Sequence, residues 1–298
     1  MSFLPMPAAM ASAAALKPKK MKKKESMIGK IFTVILLVAL FLIFILPFYY
    51  MIISSFKSLL EAINPSPVWW PEEFHWENYQ KAWSISKMPK YAMNSVILSV
   101  SCSIACIVVS VPCAFALARM EFRGKSVMFA ISLSSMMVPA QCVFLPIFIM
   151  FSKLGWLNTY WAMILVFTHS GSTILFIRNA FKQVSNEVLE AARLDGASEL
   201  TVMFKVIMPM VKPAIITMAL MIFMRRWNDY FWNISLTTND NVRTLPYAVK
   251  SITAATDGGI PEYAVQMAGA TLLMAPMLIA YIFANKQIKN AFVYTGIK

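Results

Sequence analysis

The chain has 298 residues, 59% of them hydrophobic, and a mean hydropathy of +0.63, which excludes an ordinary soluble domain with an apolar share of about 45–50%. The net charge of +13 would fit a nucleic-acid-binding protein, but 18 of the 27 basic residues lie in the segments that are cytoplasmic if the N-terminus is. This is the positive-inside pattern of a membrane protein. It predicts that both termini are cytoplasmic, and we expect no nucleic-acid partner.

Six apolar runs are each about 20 residues long, the length that crosses the hydrocarbon core of a bilayer. They occupy residues 31–53, 93–118, 127–151, 157–177, 211–234 and 264–284. The sequence therefore predicts an all-α polytopic membrane protein with six transmembrane helices.

The segment before the first run, residues 1–30, is rich in alanine and then in lysine and has no periodic apolar pattern. We expect a disordered basic cytoplasmic tail whose lysines lie against anionic membrane lipid. A secretory signal peptide is the competing interpretation. The apolar run 31–53 is too long for one and is not followed by a convincing cleavage site, so we interpret it as the first transmembrane helix.

The loop 54–91 is predicted to be extracytoplasmic and is rich in proline and tryptophan. An aromatic belt at the membrane interface accounts for most of these tryptophans. In the second run, Cys102 and Cys106 are one helical turn apart and are expected to line a packing seam. We expect no metal site, because the two histidines fall on other segments.

A short basic turn follows the second run, and its Gly124-Lys125-Ser126 resembles the end of a phosphate-binding loop. Such a loop needs a glycine five residues before Gly124, and Arg119 is there instead. We found no other candidate for a nucleotide site. We therefore expect that this chain has no ATPase site and that a partner supplies the energy.

The stretch 190–213 separates the fourth and fifth apolar runs. Ser185 and Asn186 favour the start of a short helix. Gly196 favours the left-handed conformation that ends a helix. Ser198 favours a second helix that runs to Pro209. The alanines in the first helix and its turn keep that surface slim, so that another protein surface could approach the backbone closely.

This stretch resembles the EAA loop of bacterial ATP-binding-cassette importer permeases. The resemblance rests on Glu190, Ala191, Ala192, Asp195, Gly196 and Ala197, with Phe204, Ile207, Pro209 and Pro213 downstream. An ordinary amphipathic surface helix would explain the alanines and the glutamate, but not the turn and the two prolines. The resemblance implies that the loop between spans four and five is a coupling helix. It also implies that a partner ATPase receives this helix and binds ATP and Mg²⁺, with no cofactor in this chain.

Two further stretches resemble the carbohydrate-uptake branch of the same type I permeases, which includes the maltose and sn-glycerol-3-phosphate importers. They are Trp70-Pro71-Glu72-Glu73-Phe74 and Thr244-Leu245-Pro246. The resemblance implies a permease domain at 92–285, a cytoplasmic tail at 286–298 and a location in the bacterial cytoplasmic membrane. Its implied partners are a second homologous permease subunit in a heterodimer, an ATPase subunit dimer and an extracytoplasmic solute-binding protein.

Two other functional classes have less support. A self-contained ion-coupled secondary transporter would usually carry ionisable residues inside its spans, and Asp229 near one outer end is the only carboxylate in them. An intramembrane enzyme would need a catalytic motif, and we found neither HExxH nor GxSxG. The predicted chain is a transport subunit without catalytic residues. We expect it to form half of the transmembrane pathway for a sugar or sugar derivative, and an anionic sugar falls within this prediction.

The fifth run contains two adjacent arginines where members of the resembled family commonly have apolar or small residues. The candidate pathway residues are Arg225, Arg226, Trp227, Asn228, Asp229 and Trp232. Helical spacing places four of them on one face. One interpretation is that Arg225 pairs with Asp229 and pins the helix to its neighbours. The other is that this face lines the pathway, with a guanidinium on an anionic or heavily hydroxylated solute and Trp227 or Trp232 stacked on a sugar ring.

Overall fold

The computed structural model describes residues 27–85, 87–252 and 262–296, and the regular secondary structure of these residues is helical. The chain divides into two units, Met1–Tyr49 and Tyr50–Lys298. The first unit contains most of α1 (Met27–Ser54), whose apolar side chains are exposed in that unit. A helix that is apolar on all sides is typical of a membrane span. It begins before the predicted position 31, and residues 1–26 of the predicted tail lie outside the described residues.

Among the described residues, three helical stretches are long and apolar enough to cross a membrane: Gly29–Ser54, Met88–Arg119 and Tyr263–Lys289. Two bent pairs of helices raise the number to five if each pair is one span. The predicted number of six transmembrane helices therefore stays a prediction. The predicted run 127–151 is split into α5 (Lys125–Ser134) and α6 (Ala140–Lys153), because Pro139 precedes α6 in an extended conformation and has no N–H to continue a helix.

Helix α4 (Met88–Arg119) is the centre of the second unit. It packs against α7 (Tyr160–Val166), α8 (Gly171–Lys182), α12 (Lys212–Trp227) and α14 (Leu245–Ile252). Small buried residues follow one face of α4 and let these neighbours approach closely: Ser95, Ser99, Cys102, Ser103, Cys106, Ser110 and Ala114. The predicted packing seam at Cys102 and Cys106 is confirmed, since both side chains are 1% exposed.

The other predicted spans are also interrupted. The run 157–177 consists of α7 and α8, which meet at 53°. Gly171 opens α8 at a close contact, where an added Cβ would lie 2.1 Å from the carbonyl oxygen of Ser132. The run 211–234 consists of α12 and, after a break, α13 (Phe231–Leu236). These breaks place polar backbone groups at depths where the sequence predicts continuous helix.

The predicted loops contain helices as well. The loop 54–91 holds α2 (Leu59–Ile63), which starts at a capping box of Ser58 and Glu61, and α3 (Glu77–Ile85). The last helix, α15 (Tyr263–Gly296), continues through most of the predicted tail 286–298. The glycine-rich tip of the second outer loop, with Gly258 and Gly259, lies outside the described residues.

Candidate functional site

The EAA segment (residues 186–213) begins with α9 (Asn186–Leu194) and turns where the sequence predicts. Gly196 has a φ of +79°, its N–H donates to the Arg193 carbonyl at 3.0 Å, and the Ala197 N–H donates to the Ala192 carbonyl at 3.0 Å. This pair of bonds is the Schellman motif, which satisfies the carbonyls at a helix C-terminus. The predicted end of the first helix at Asp195-Gly196 is therefore confirmed.

The second arm of the EAA segment starts at Ser198, whose hydroxyl accepts a hydrogen bond from the Thr201 N–H at 3.3 Å. It continues through α10 (Glu199–Thr201), a π-helical stretch (Val202–Ile207) and α11 (Met208–Met210). The predicted cap and the extent to about Pro209 are confirmed. After this arm the chain bends by 82° into α12.

An ion pair braces the turn between the two arms. The Arg193 guanidinium binds both carboxylate oxygens of Glu199, at 2.8 Å through Nε and 3.2 Å through Nη2. Two parallel hydrogen bonds restrict geometry more than a single contact does. Because both side chains are 41% exposed, we expect this pair to orient the turn more than to stabilise the fold.

Arg119, at the end of α4, anchors the EAA segment to the helical core. Its guanidinium donates to the Phe181 carbonyl at 3.1 and 2.5 Å and to the Asn186 side-chain oxygen at 2.6 Å. It also donates to the Val184 carbonyl. These acceptors span the end of α8 and the start of α9, so one side chain joins three helices. Sequence reasoning singled out Arg119 only as a mismatch to a nucleotide-binding motif and missed this role.

The two faces of the EAA segment differ in burial. Leu189, Val202 and Ile207 are buried in the core with α4, α8 and α12. On the opposite side the exposed fractions are 89% for Leu194 and 67% for Leu200. Three more exposed residues extend this surface: Glu190, Ala191 and Phe204. Leu194, Leu200 and Phe204 are thus three large apolar side chains exposed between residues 194 and 204.

The second candidate region is the arginine segment (residues 225–236), and its backbone differs from the prediction. Helix α12 ends at Trp227, and Asn228 already departs from helical geometry, with φ −92° and ψ 5°. The continuous face predicted for Arg225, Asn228, Asp229 and Trp232 is therefore wrong, because helical spacing does not extend across this break. Asp229 instead accepts a hydrogen bond from the Trp232 N–H at 3.2 Å, near the start of α13.

Asp229 pairs with Arg226 and not with Arg225, which corrects the predicted pairing. Arg226 Nη1 lies 2.8 Å from Asp229 Oδ2, and the two side chains are only 12% and 13% exposed. The guanidinium carbon also lies 3.4 Å from the centre of the Phe167 ring, where the α7–α8 break occurs. The Arg226–Asp229 ion pair therefore links the break after α12 to the break between α7 and α8.

The remaining predicted pathway residues divide into buried and exposed ones. Trp227 is 1% exposed and donates its indole N–H to the Leu273 carbonyl at 3.0 Å, and Trp232 is 5% exposed among aromatic neighbours. Both rings are thus packed against protein within this chain. Arg225 and Asn228 are exposed. The amide of Asn228 donates to the Met224 carbonyl at 3.2 Å and to the Met277 sulfur at 3.0 Å. A pathway role for this segment stays a prediction.

Buried asparagines hold the loop after the arginine segment, and sequence reasoning missed them. Asn94 on α4 donates to the carbonyls of Asn241 and Arg243 at 3.0 and 2.8 Å. Asn233 on α13 donates to the Val242 carbonyl and accepts from the Thr244 N–H, both at 3.0 Å. An asparagine inside an otherwise apolar run was the available signal, since buried amides need hydrogen-bond partners.

The comparisons with known proteins agree with this architecture. Residues 107–291 match the family model described as binding-protein-dependent transport system inner membrane component. The chain belongs to this family. It is an ABC transporter permease, as the resemblance of the EAA segment implies, and its apolar helices fit an inner-membrane protein.

This permease has relatives of known or assigned transport role. It is 30% identical over 256 residues to the probable ABC transporter permease protein YurM of Bacillus subtilis, covering 85% of this chain and 83% of YurM. It is 29% identical to the diacetylchitobiose uptake system permease protein NgcG of Streptomyces coelicolor, covering 86% and 85%. It also resembles a chain of a bacterial ABC transporter involved in the import of the acidic polysaccharide alginate. The TM-score is 0.77, with 25% identity and coverage of 88% and 96%.

Proposed function

We propose that this permease forms half of the transmembrane pathway of an ATP-driven importer for a sugar or sugar derivative. The solute would be delivered by an extracytoplasmic solute-binding protein. The carbohydrate class is supported by the uptake systems named for its relatives, one for diacetylchitobiose and one for alginate. Because the first solute is uncharged and the second is acidic, these names do not decide the charge of the solute carried here.

The EAA segment is the proposed coupling element, and the observation that carries this proposal is its exposed apolar surface. Leu194, Leu200 and Phe204 project from a turn that the Schellman motif and the Arg193–Glu199 pair hold in place. Burying apolar surface drives protein association. A groove on an ATPase subunit would cover these side chains, and Arg119 would connect movement of the segment to α4.

The proposal of a second permease subunit and an ATPase dimer starts from apolar surface that this chain leaves uncovered. Helices α4, α12 and α15 line an open, mostly apolar cavity of about 420 Å³, to which Ile104, Leu220 and Phe283 contribute. We propose that a second, non-identical permease covers this surface and completes the pathway. An ATPase dimer would then bind one EAA segment from each permease.

We propose six membrane crossings, with α5 and α6 together forming the third as a broken span. Both termini and the EAA segment would be cytoplasmic. The test is labelling of single cysteines at Ser66 and Ser198 in sealed cells, in a variant without the four native cysteines. An impermeant thiol reagent should modify Ser66→Cys only. Labelling of Ser198→Cys alone would overturn this orientation.

The test of function is reconstitution of the permease with its co-purified partners in liposomes. We expect accumulation of a carbohydrate only when ATP and the solute-binding protein are both supplied. A variant lacking the exposed apolar side chains, Leu194→Ser with Leu200→Ser, should lose the ATPase from the purified complex. A permease that accumulates solute alone, driven by an ion gradient, would overturn the proposal.

A further inference from the structure

Two adjacent arginines on α12 have different electrostatic surroundings. Arg226 is buried, pairs with Asp229 at 2.8 Å and lies against the Phe167 ring. The pair carries no net charge, and its two side chains are only 12% and 13% exposed. Arg225 is exposed and makes no hydrogen bond or ion pair within the part of the chain that the structure describes. The positive charge of Arg225 is therefore uncompensated.

Among the residues that the structure describes, no carboxylate pairs with Arg225. Asp229 is the only acidic residue in the stretches 78–120, 122–186, 200–239 and 263–298, which contain all the helices around α12. Its Oδ2 already binds Arg226 and its Oδ1 accepts from the Trp232 N–H. Within the described residues, no carboxylate is therefore left to pair with Arg225.

Arg225 lies too deep on α12 to reach water easily. It is thirteen residues after Lys212, which is about 20 Å at the rise of an α-helix, within a hydrocarbon core about 30 Å thick. Side chains on a helix lean toward its N-terminus, so Arg225 leans back toward Lys212 and away from the nearer end of α12. An unpaired arginine facing lipid at this depth is costly, so such residues face a polar cavity.

We infer that Arg225 binds an oxyanion, a carboxylate or a phosphate, on the transported sugar. This inference rests on the proposed importer function. A guanidinium presents two parallel N–H groups that match the oxygens of a carboxylate or phosphate, and it keeps its charge at any physiological pH. Arg226 is a positioning residue here. Its pair with Asp229 holds the end of α12 in place, so that the Arg225 side chain stays exposed.

The test is ATP-dependent uptake by the reconstituted importer with a panel of labelled solutes. The panel contains an oligouronate, a sugar phosphate and diacetylchitobiose as the uncharged probe. For Arg225→Gln we expect uptake of the anionic solute to fall at least about tenfold, as for loss of a charge-assisted hydrogen bond. Arg225→Lys should retain part of it, because the charge remains without the planar fork. Uptake of the oligouronate would identify the ligand group as a carboxylate, and uptake of the sugar phosphate would identify it as a phosphate.

Arg123→Gln is the matched control, since Arg123 is an exposed arginine on the short turn after α4 and should leave uptake unchanged. Uptake of diacetylchitobiose alone by the wild-type importer would overturn the inference and leave the proposed function intact. Equal loss of charged and uncharged solutes in Arg225→Gln would also overturn it, as would full uptake of the anion. ATP-dependent uptake of no carbohydrate at all would instead overturn the proposed function.

Discussion

The EAA segment and the arginine segment show two ways in which polar residues fit into a membrane permease. In the EAA segment, Gly196 and Ser198 satisfy backbone groups within a few residues, so the turn follows local chemistry. In the arginine segment, the helix ends at Trp227 although no proline or glycine is present, and Asp229 is directed to Arg226. The EAA turn is built from hydrogen bonds between residues close in the chain, whereas the arginine segment combines an ion pair with packing against Phe167 of a distant helix.

The largest effect on stability is expected for Asp229→Asn, which tests whether the buried pair decides the break after α12. The substitution keeps an acceptor for the Trp232 N–H but leaves Arg226 buried without its counter-charge. Removing one partner of a buried ion pair costs about 3–5 kcal/mol. The thermal midpoint of the purified protein and its abundance in the membrane should both fall.

Arg226→Gln combined with Asp229→Asn is the control for this variant, because it removes both charges together. The double variant should recover part of the lost stability. An unchanged thermal midpoint in Asp229→Asn would contradict the importance of the pair and would weaken the contrast between the two segments.

An intermediate effect on stability but complete loss of uptake is expected for Gly196→Pro, which tests the EAA segment. Proline cannot adopt a φ of +79° and lacks the N–H that binds the Arg193 carbonyl. Glu190→Lys, which reverses a charge on the exposed surface, should also abolish uptake. Both proteins should reach the membrane at normal abundance, as measured beside uptake in the same cells.

Gly155→Pro is a matched control, because Gly155 has a φ of +67° and its N–H donates to the Ser152 carbonyl at 3.1 Å. It lies outside the EAA segment, so uptake per permease in the membrane should be close to that of the wild type. Normal uptake by both EAA variants would show that this segment does not couple the permease to an ATPase.

The smallest effect on stability is expected for Asp240→Asn, which removes an exposed ion pair. It sharpens the contrast with the Arg226–Asp229 pair. Asp240 lies 2.8 Å from Lys87 Nζ and 3.1 Å from Arg243 Nη1. Hydrogen bonds from Lys87 and Tyr91 lower the pKa of Asp240 to about 2. A pair this exposed contributes about 0.2–1 kcal/mol, so Asp240→Asn should lower the thermal midpoint only slightly.

The difference in stability between the wild type and Asp240→Asn depends on pH because the pKa of Asp240 is lowered. Because the folded pKa lies below the unfolded value of about 3.9, the contribution is fully present above about pH 4 and is lost as pH falls through about 2. Wild type and Asp240→Asn should therefore differ by a constant amount from pH 7 to 5 and converge in more acid buffer. A difference that persists unchanged at pH 2 would contradict the assignment.

Much of this protein was determined by its sequence alone. The apolar runs predict a helical membrane protein, because only segments that satisfy their own backbone hydrogen bonds are stable in lipid. The turn at Gly196 and the cap at Ser198 were predictable, because each satisfies its hydrogen bonds with residues close by in the chain. The family resemblance could likewise be read from Glu190 to Pro213, since its signature is contiguous in the sequence.

Tertiary structure decided which helices break and which charges pair. Hydropathy does not distinguish a continuous span from the bent pair α7–α8 or from the break between α12 and α13, because both versions are equally apolar. One of the two interpretations of the helical spacing paired Arg225 with Asp229, whereas Asp229 pairs with Arg226 in the structure. Arg119 and Asn94 act on acceptors far along the chain, at Phe181 and Asn241. Such contacts depend on how the helices pack, and their positions carry no periodic signal in the sequence.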